Sequence, residues 1–211
     1  MRHLLLGILM LVPARGAQLR ITVYDQAHLS KPVSEDVFDI LLRILRQAGI
    51  DGEFAAGDLA APEASLITAP STPRQGRERE AACRARRDIA LEIVANTAYV
   101  RKGTLMGMAV PLAKEGLNAR VFDDHVRDTA SRQNCQYATV LAHAMAHELG
   151  HVLLRNGAHT QRGLMSSAWT DFEYWWMARG LMLFTGDQAK AMRASLSGAG
   201  CSPPTLAEVL H

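Results

Sequence analysis

His147-Glu148-Leu149-Gly150-His151 places two histidines four residues apart with a glutamate beside the first. On a helix, residues four apart stand one above the other, about 6 Å along the axis, so two imidazoles can converge on one ion. A glutamate next to the first imidazole then points toward the remaining coordination position, where it can take a proton from water without being a ligand. The flanking residues fit a helix: Val140 to Ala146 before the motif and Val152-Leu153-Leu154 after it. Arg155-Asn156-Gly157 reads as the stop, with Gly157 suited to a left-handed turn. Chain reversal there returns His159 toward the ligand face, and three neutral imidazoles with one water complete a catalytic zinc site. The expected metal ligands are therefore His147, His151 and His159, with Glu148 as general base. Asp171 and Glu173 rank below His159 as third ligand, because their stretch shows no clear helix. His143 continues the same stripe, but it lies about 12 Å from His151 along the axis, so a supporting or buried structural role is expected.

The elements that must position these residues form an α/β (α+β) layer with a mixed, twisted sheet. Residues 19–24 alternate apolar and polar with β-branched types and predict a strand. Ser34 can cap a helix whose apolar residues recur at Val37, Ile40, Leu41, Ile44, Leu45 and Ala48, with Gly49 as its stop. Further strands are expected at 50–55, 89–95, 106–112 and 118–122, the 106–112 segment at a sheet edge because Pro111 cannot donate to an interior ladder. Residues 57–87 read as a long surface loop with arginines interleaved by Glu78 and Glu80. Asp123 or Asp124 can cap a short helix toward Ala130, the motif helix covers 137–155, and a last helix lies near 186–196. The aromatic stretch around Trp169, Phe172, Tyr174, Trp175 and Trp176 reads as irregular, so residues 157–211 form a small irregular C-terminal subdomain after an N-terminal part at 18–156.

The sequence resembles the metzincin clan of zinc metallopeptidases in its HELGH at 147–151, a turn leading to a third histidine, and Met165 within Gly163-Leu164-Met165. That resemblance implies a metzincin-like catalytic domain, a methionine turn at Met165 beneath the metal, and an edge strand able to pair with an extended substrate. The usual pattern has glycine seven and histidine ten positions after the first histidine. Those positions are Leu154 and Gly157 here, and the histidine is twelve away, as in a variant with a longer helix before the turn. HELGHVLLRNGAH followed by TQRGLMSSAW is also similar to small exported bacterial proteins with HEhGHLLL, a later histidine, GIM and a tryptophan, where h is apolar. Val121-Phe122-Asp123, Leu183-Phe184-Thr185 and Arg46-Gln47-Ala48-Gly49-Ile50 extend the similarity over most of the chain.

The 211 residues carry 48% hydrophobic and 21% charged side chains, which suits one globular domain and excludes a disordered chain, a coiled coil or a collagen. With 23 Lys+Arg against 21 Asp+Glu, nothing calls for nucleic-acid binding. A basic start at Arg2, an apolar run from Leu4 to Val12 and small residues through Ala17 make residues 1–17 an expected signal peptide. The mature chain, 18–211, is then secreted or periplasmic, without a stable membrane span, and its Cys83, Cys135 and Cys201 meet an oxidising compartment in which any of three single disulfides is open. The expected function is zinc-dependent hydrolysis of peptide or protein substrates. The alternatives are an exported zinc-binding protein that holds peptides or a partner without cleaving them, and an α/β domain whose histidines are surface residues.

Overall fold

The computed structural model describes residues 17–57, 88–95, 105–109, 117–155 and 157–197. The proposed signal peptide up to residue 16, the 58–87 part of the long loop, Pro111, Cys83 and Cys201 lie outside them, so the disulfide question is not addressed by the described residues. β1 (Ala17–Asp25) leads into α1 (Lys31–Gln47) and β2 (Ile50–Ala56). β3 (Asp88–Val94), β4 (Gly107–Ala109) and β5 (Leu117–Phe122) follow, then α2 (Asp123–Arg132), α3 (Tyr137–Leu154), α4 (Asp171–Ala178) and α5 (Gly186–Ser197).

The five strands form one sheet in the order β2-β1-β3-β5-β4. β1, β2, β3 and β5 are mutually parallel, and β4 pairs antiparallel with β5 at the edge. The mixed sheet and the edge position of the fourth strand agree with the sequence pattern. Parallel neighbours need crossovers that cover the sheet, and α1 supplies the first between β1 and β2. It buries Val37, Leu41, Ile44 and Leu45 against the strands. Its reversal into β2 uses Gly49 at φ 72°, a left-handed conformation that glycine takes without a Cβ penalty.

Helix starts differ from the sequence reading in detail. Ser30, not Ser34, occupies the N-cap of α1, because Pro32 sits in the first turn, where its missing N–H costs nothing. Ser34 instead donates its hydroxyl to the Lys31 carbonyl, 2.9 Å away. In α2 the cap residue is Phe122, and Asp123 is helical. Its carboxylate accepts from Arg127 Nε at 2.7 Å and from the Tyr137 hydroxyl, joining α2 to the start of α3.

α3 is the axis of the molecule. It contacts α1, α2, α4, α5, β4 and β5, and its buried positions run from Thr139 to Leu153 on all sides. An apolar helix of this kind is stable only when surrounded, which is the condition it meets here. α5 also joins the common core through Ala189, Met192 and Leu196, and Arg193 Nη1 donates to the Ala48 carbonyl at 2.5 Å. The segment after residue 157 is therefore more regular than its aromatic composition suggests. Among the described residues, no helix is long and apolar enough to cross a membrane.

Candidate metal centre

α3 carries His147 and His151 one turn apart, and residues 157–170 return past them. The reversal begins one residue after the helix, where Arg155 takes φ 56°. The left-handed position expected of Gly157 is taken by Arg155. His159 arrives at the ligand face as anticipated. The Nε2 atoms of His151 and His147 are 3.0 Å apart, and those of His151 and His159 are 3.2 Å apart. A tetrahedral ion with bonds of about 2.0–2.1 Å to nitrogen spaces its ligand atoms roughly 3.4 Å apart. The donor set, three imidazoles around one point, fits a zinc ion, and it is the group of residues among those described that could hold a metal.

Tautomer and charge agree with that geometry. His147 Nδ1 donates to the Leu164 carbonyl at 2.7 Å, which leaves the Nε2 lone pair facing the other two rings. Burial pushes the His147 pKa down to about 4, opposed by the Leu164 hydrogen bond and reinforced by His151 and His159. The ring is therefore neutral at pH 7, the form that binds metal. His151 is buried beside it, and His159 is exposed.

Glu148 lies on the same helix and is 5% exposed. Burial raises its pKa to about 8, so the group has an unusually high proton affinity. Its neighbour across the cleft is Gly107 of the edge strand, packed directly against its side chain. The strand is legible in the sequence, whereas the approach of its glycine to Glu148 follows only from the packing of β4 on α3.

The 160–166 loop reaches the three histidines through the Leu164 carbonyl, which holds His147. Thr160 N–H donates to the Met165 carbonyl at 2.8 Å and Ser166 N–H to the Gly163 carbonyl at 3.0 Å, closing a tight turn with Gly163 at φ 83°. Met165 is buried and its thioether lies against α3 at Gly150, where a side chain would collide with Met165 and with Phe184. Trp169 sets its ring edge-on to His147, with centroids 5.9 Å apart.

The alternative ligands are accounted for otherwise. Glu173 belongs to α4, a helix absent from the sequence reading. Its Oε2 accepts from Thr170 N–H at 3.0 Å and its Oε1 from Gly163 N–H at 3.3 Å, while Thr170 Oγ1 accepts from Phe172 N–H. This reciprocal capping box, Thr170-x-x-Glu173, is a sequence signal that would have located the helix. Burial works to raise the Glu173 pKa, but the hydrogen bonds from Thr170 and Gly163 outweigh it and leave the carboxylate below its ordinary value. Asp171 is exposed at the start of the same helix and lies outside the converging group. His143 is fully buried, with Nδ1 donating to the Thr139 carbonyl at 2.7 Å, so the structural role is the one it has.

No protein-family model matches the chain, and no curated protein sequence does either. Solved structures share the fold of this chain, and zinc peptidases are among them. One neighbour is a zinc-dependent peptidase from Methanocorpusculum labreanum, 15% identical, TM-score 0.51, aligned over 82% of this chain and 99% of that one. Another is the archaemetzincin from Methanopyrus kandleri, 17% identical, TM-score 0.50, aligned over 89% and 99%.

Proposed function

We propose that this chain is a zinc-dependent metallopeptidase, with zinc held by Nε2 of His147, His151 and His159 and with Glu148 as general base. The observation that carries this reading is the convergence of three imidazole nitrogens, 3.0 and 3.2 Å apart, beside a buried glutamate on the same helix. The shared fold of solved zinc peptidases supports it.

When bound, zinc supplies Lewis acidity, acidifying a water and polarising a carbonyl. The rest is the work of the chain's own residues. The Leu164 carbonyl fixes the His147 tautomer, so that a lone pair is offered inward. Burial alone favours the protonated form of Glu148, and the charge of a zinc ion beside it would favour the carboxylate, which would accept a proton from the attacking water and return it to the leaving amine. β4 is the edge strand among the described residues, and its outer side would offer backbone groups to an extended peptide, with Met108 exposed beside it. Met165 in its turn packs against α3 at Gly150.

The test is zinc content of protein purified without chelators, together with turnover on a broad peptide library. Glu148→Gln is expected to retain zinc and to lose on the order of 10²–10⁴-fold in kcat. Hydrolysis retained by that variant overturns the role of Glu148. Stoichiometric zinc with no turnover in the native chain favours the binding-only alternative, and absence of zinc overturns both. Export is proposed on the apolar run before Ala17, and N-terminal sequencing of the exported protein checks it through a start at Gln18.

A further inference from the structure

Gly107 is buried at the start of β4 and faces α3. A Cβ there would stand 2.7 Å from Glu148 Cγ, 2.7 Å from Glu148 Oε1 and 2.7 Å from the Arg120 carbonyl oxygen. Contacts under 3.0 Å are essentially never seen for real Cβ atoms. The three atoms belong to two elements on different sides. Arg120 is part of β5, where it pairs with Met108, and its carbonyl blocks retreat of the strand into the sheet. Glu148 is a side chain and can be displaced. The backbone of Gly107 is not left-handed, unlike Gly49, Gly163 and Gly180, so steric room rather than conformational freedom explains the glycine.

Among the described residues Glu148 makes no hydrogen bond, and Gly107 is packed against its side chain. We infer that Gly107 is a positioning residue for Glu148: the missing side chain sets the slot between edge strand and helix in which the carboxylate sits. Its consequence for turnover rests on the peptidase reading given above; the contact itself does not.

The experiment uses the full chain in four forms: native, Gly107→Ala, Glu148→Ala and the double variant, each followed by denaturant unfolding and zinc content. Truncating Glu148 removes two of the three atoms that the new Cβ would meet. Gly107→Ala is therefore expected to lower the unfolding midpoint more in the native background than in the Glu148→Ala background, with zinc retained in both. In the native background it also lowers kcat about a hundredfold while leaving KM little changed, since misplacing a reacting group by about 1 Å has an effect of that size. Equal loss of midpoint in the two backgrounds overturns the inference, because the crowding is then against Arg120 alone. Should Gly107→Ala fail to fold, folding of the double variant supports the coupling and failure of both overturns it. If the native chain binds zinc but cleaves nothing, the peptidase reading falls while the unfolding comparison still decides the placement of Glu148.

Discussion

Trp169 and His147 share one acceptor: the indole Nε1 donates to the Leu164 carbonyl at 3.3 Å, and His147 Nδ1 donates to the same oxygen at 2.7 Å. A single backbone oxygen thereby orients the His147 ring and an aromatic side chain that packs edge-on against it. Partners that orient a metal-bound histidine are typically worth about 10–100-fold in metal affinity. Trp169→Phe keeps an aromatic ring and removes the donor. It is expected to weaken zinc binding by about tenfold at unchanged secondary structure, as read by competition with a chromophoric chelator. An unaltered affinity would show that the indole only fills space.

His159 and His143 separate by the same measurement. His159→Ala removes one of the three converging nitrogens and is expected to abolish stoichiometric zinc at micromolar protein. His143→Leu, on the same helix but directed into the core, is expected to retain it. Zinc lost from His143→Leu in a protein that still unfolds cooperatively would contradict the division of roles.

The buried imidazole of His143 gives the stability a pH dependence of known sign. Burial, together with the charge of Arg43, depresses its pKa to about 4 from 6.5. Below pH 6.5 the unfolded chain takes up a proton that the folded chain refuses until about pH 4. Stability is thus full above 6.5 and declines as pH falls through this window, by about 2 kcal/mol from this group between pH 7 and 5. Urea unfolding of chelator-treated protein at the two pH values measures it, and His143→Leu is expected to show a shallower decline. Parallel declines in the two proteins would remove His143 as a cause.

Glu173 ties the start of α4 to the loop that carries Leu164 and Met165, through Thr170 on one side and Gly163 on the other. Glu173→Ala leaves buried donors unsatisfied and is expected to destabilise the protein by about 2 kcal/mol without removing zinc. Thr170→Ala is expected to cost about 1 kcal/mol, the usual value of an N-cap. Loss of zinc at native stability would reinstate Glu173 as a ligand.

The sequence was most legible where one periodicity dominates. The alternation at Leu19, Ile21 and Val23 and the helical recurrence at Val37, Leu41 and Leu45 located β1 and α1 to within a few residues. The meeting of His147, His151 and His159 was readable because it depends on helix pitch and one turn. α4 was not, since DFEYWWMA is apolar on several faces and presents no stripe; its evidence lay in the capping pair, four residues from Thr170 to Glu173. The turn after α3 misled because arginine holds the left-handed position that composition assigns to glycine. Contacts made through backbone oxygens, such as that of Leu164, or through an absent side chain, such as that of Gly107, leave no periodic trace. They follow only from the path of the loop and the order of the strands.

α3 is enclosed on every side, whereas His159 is exposed on a connecting segment after Arg155. The two parts of the donor set therefore differ in how readily they can open. Segments with few buried contacts open at far lower free energy than a helix packed through the core. If the three imidazoles hold zinc as proposed, ion exchange is expected to begin at the exposed His159 rather than at the pair on α3.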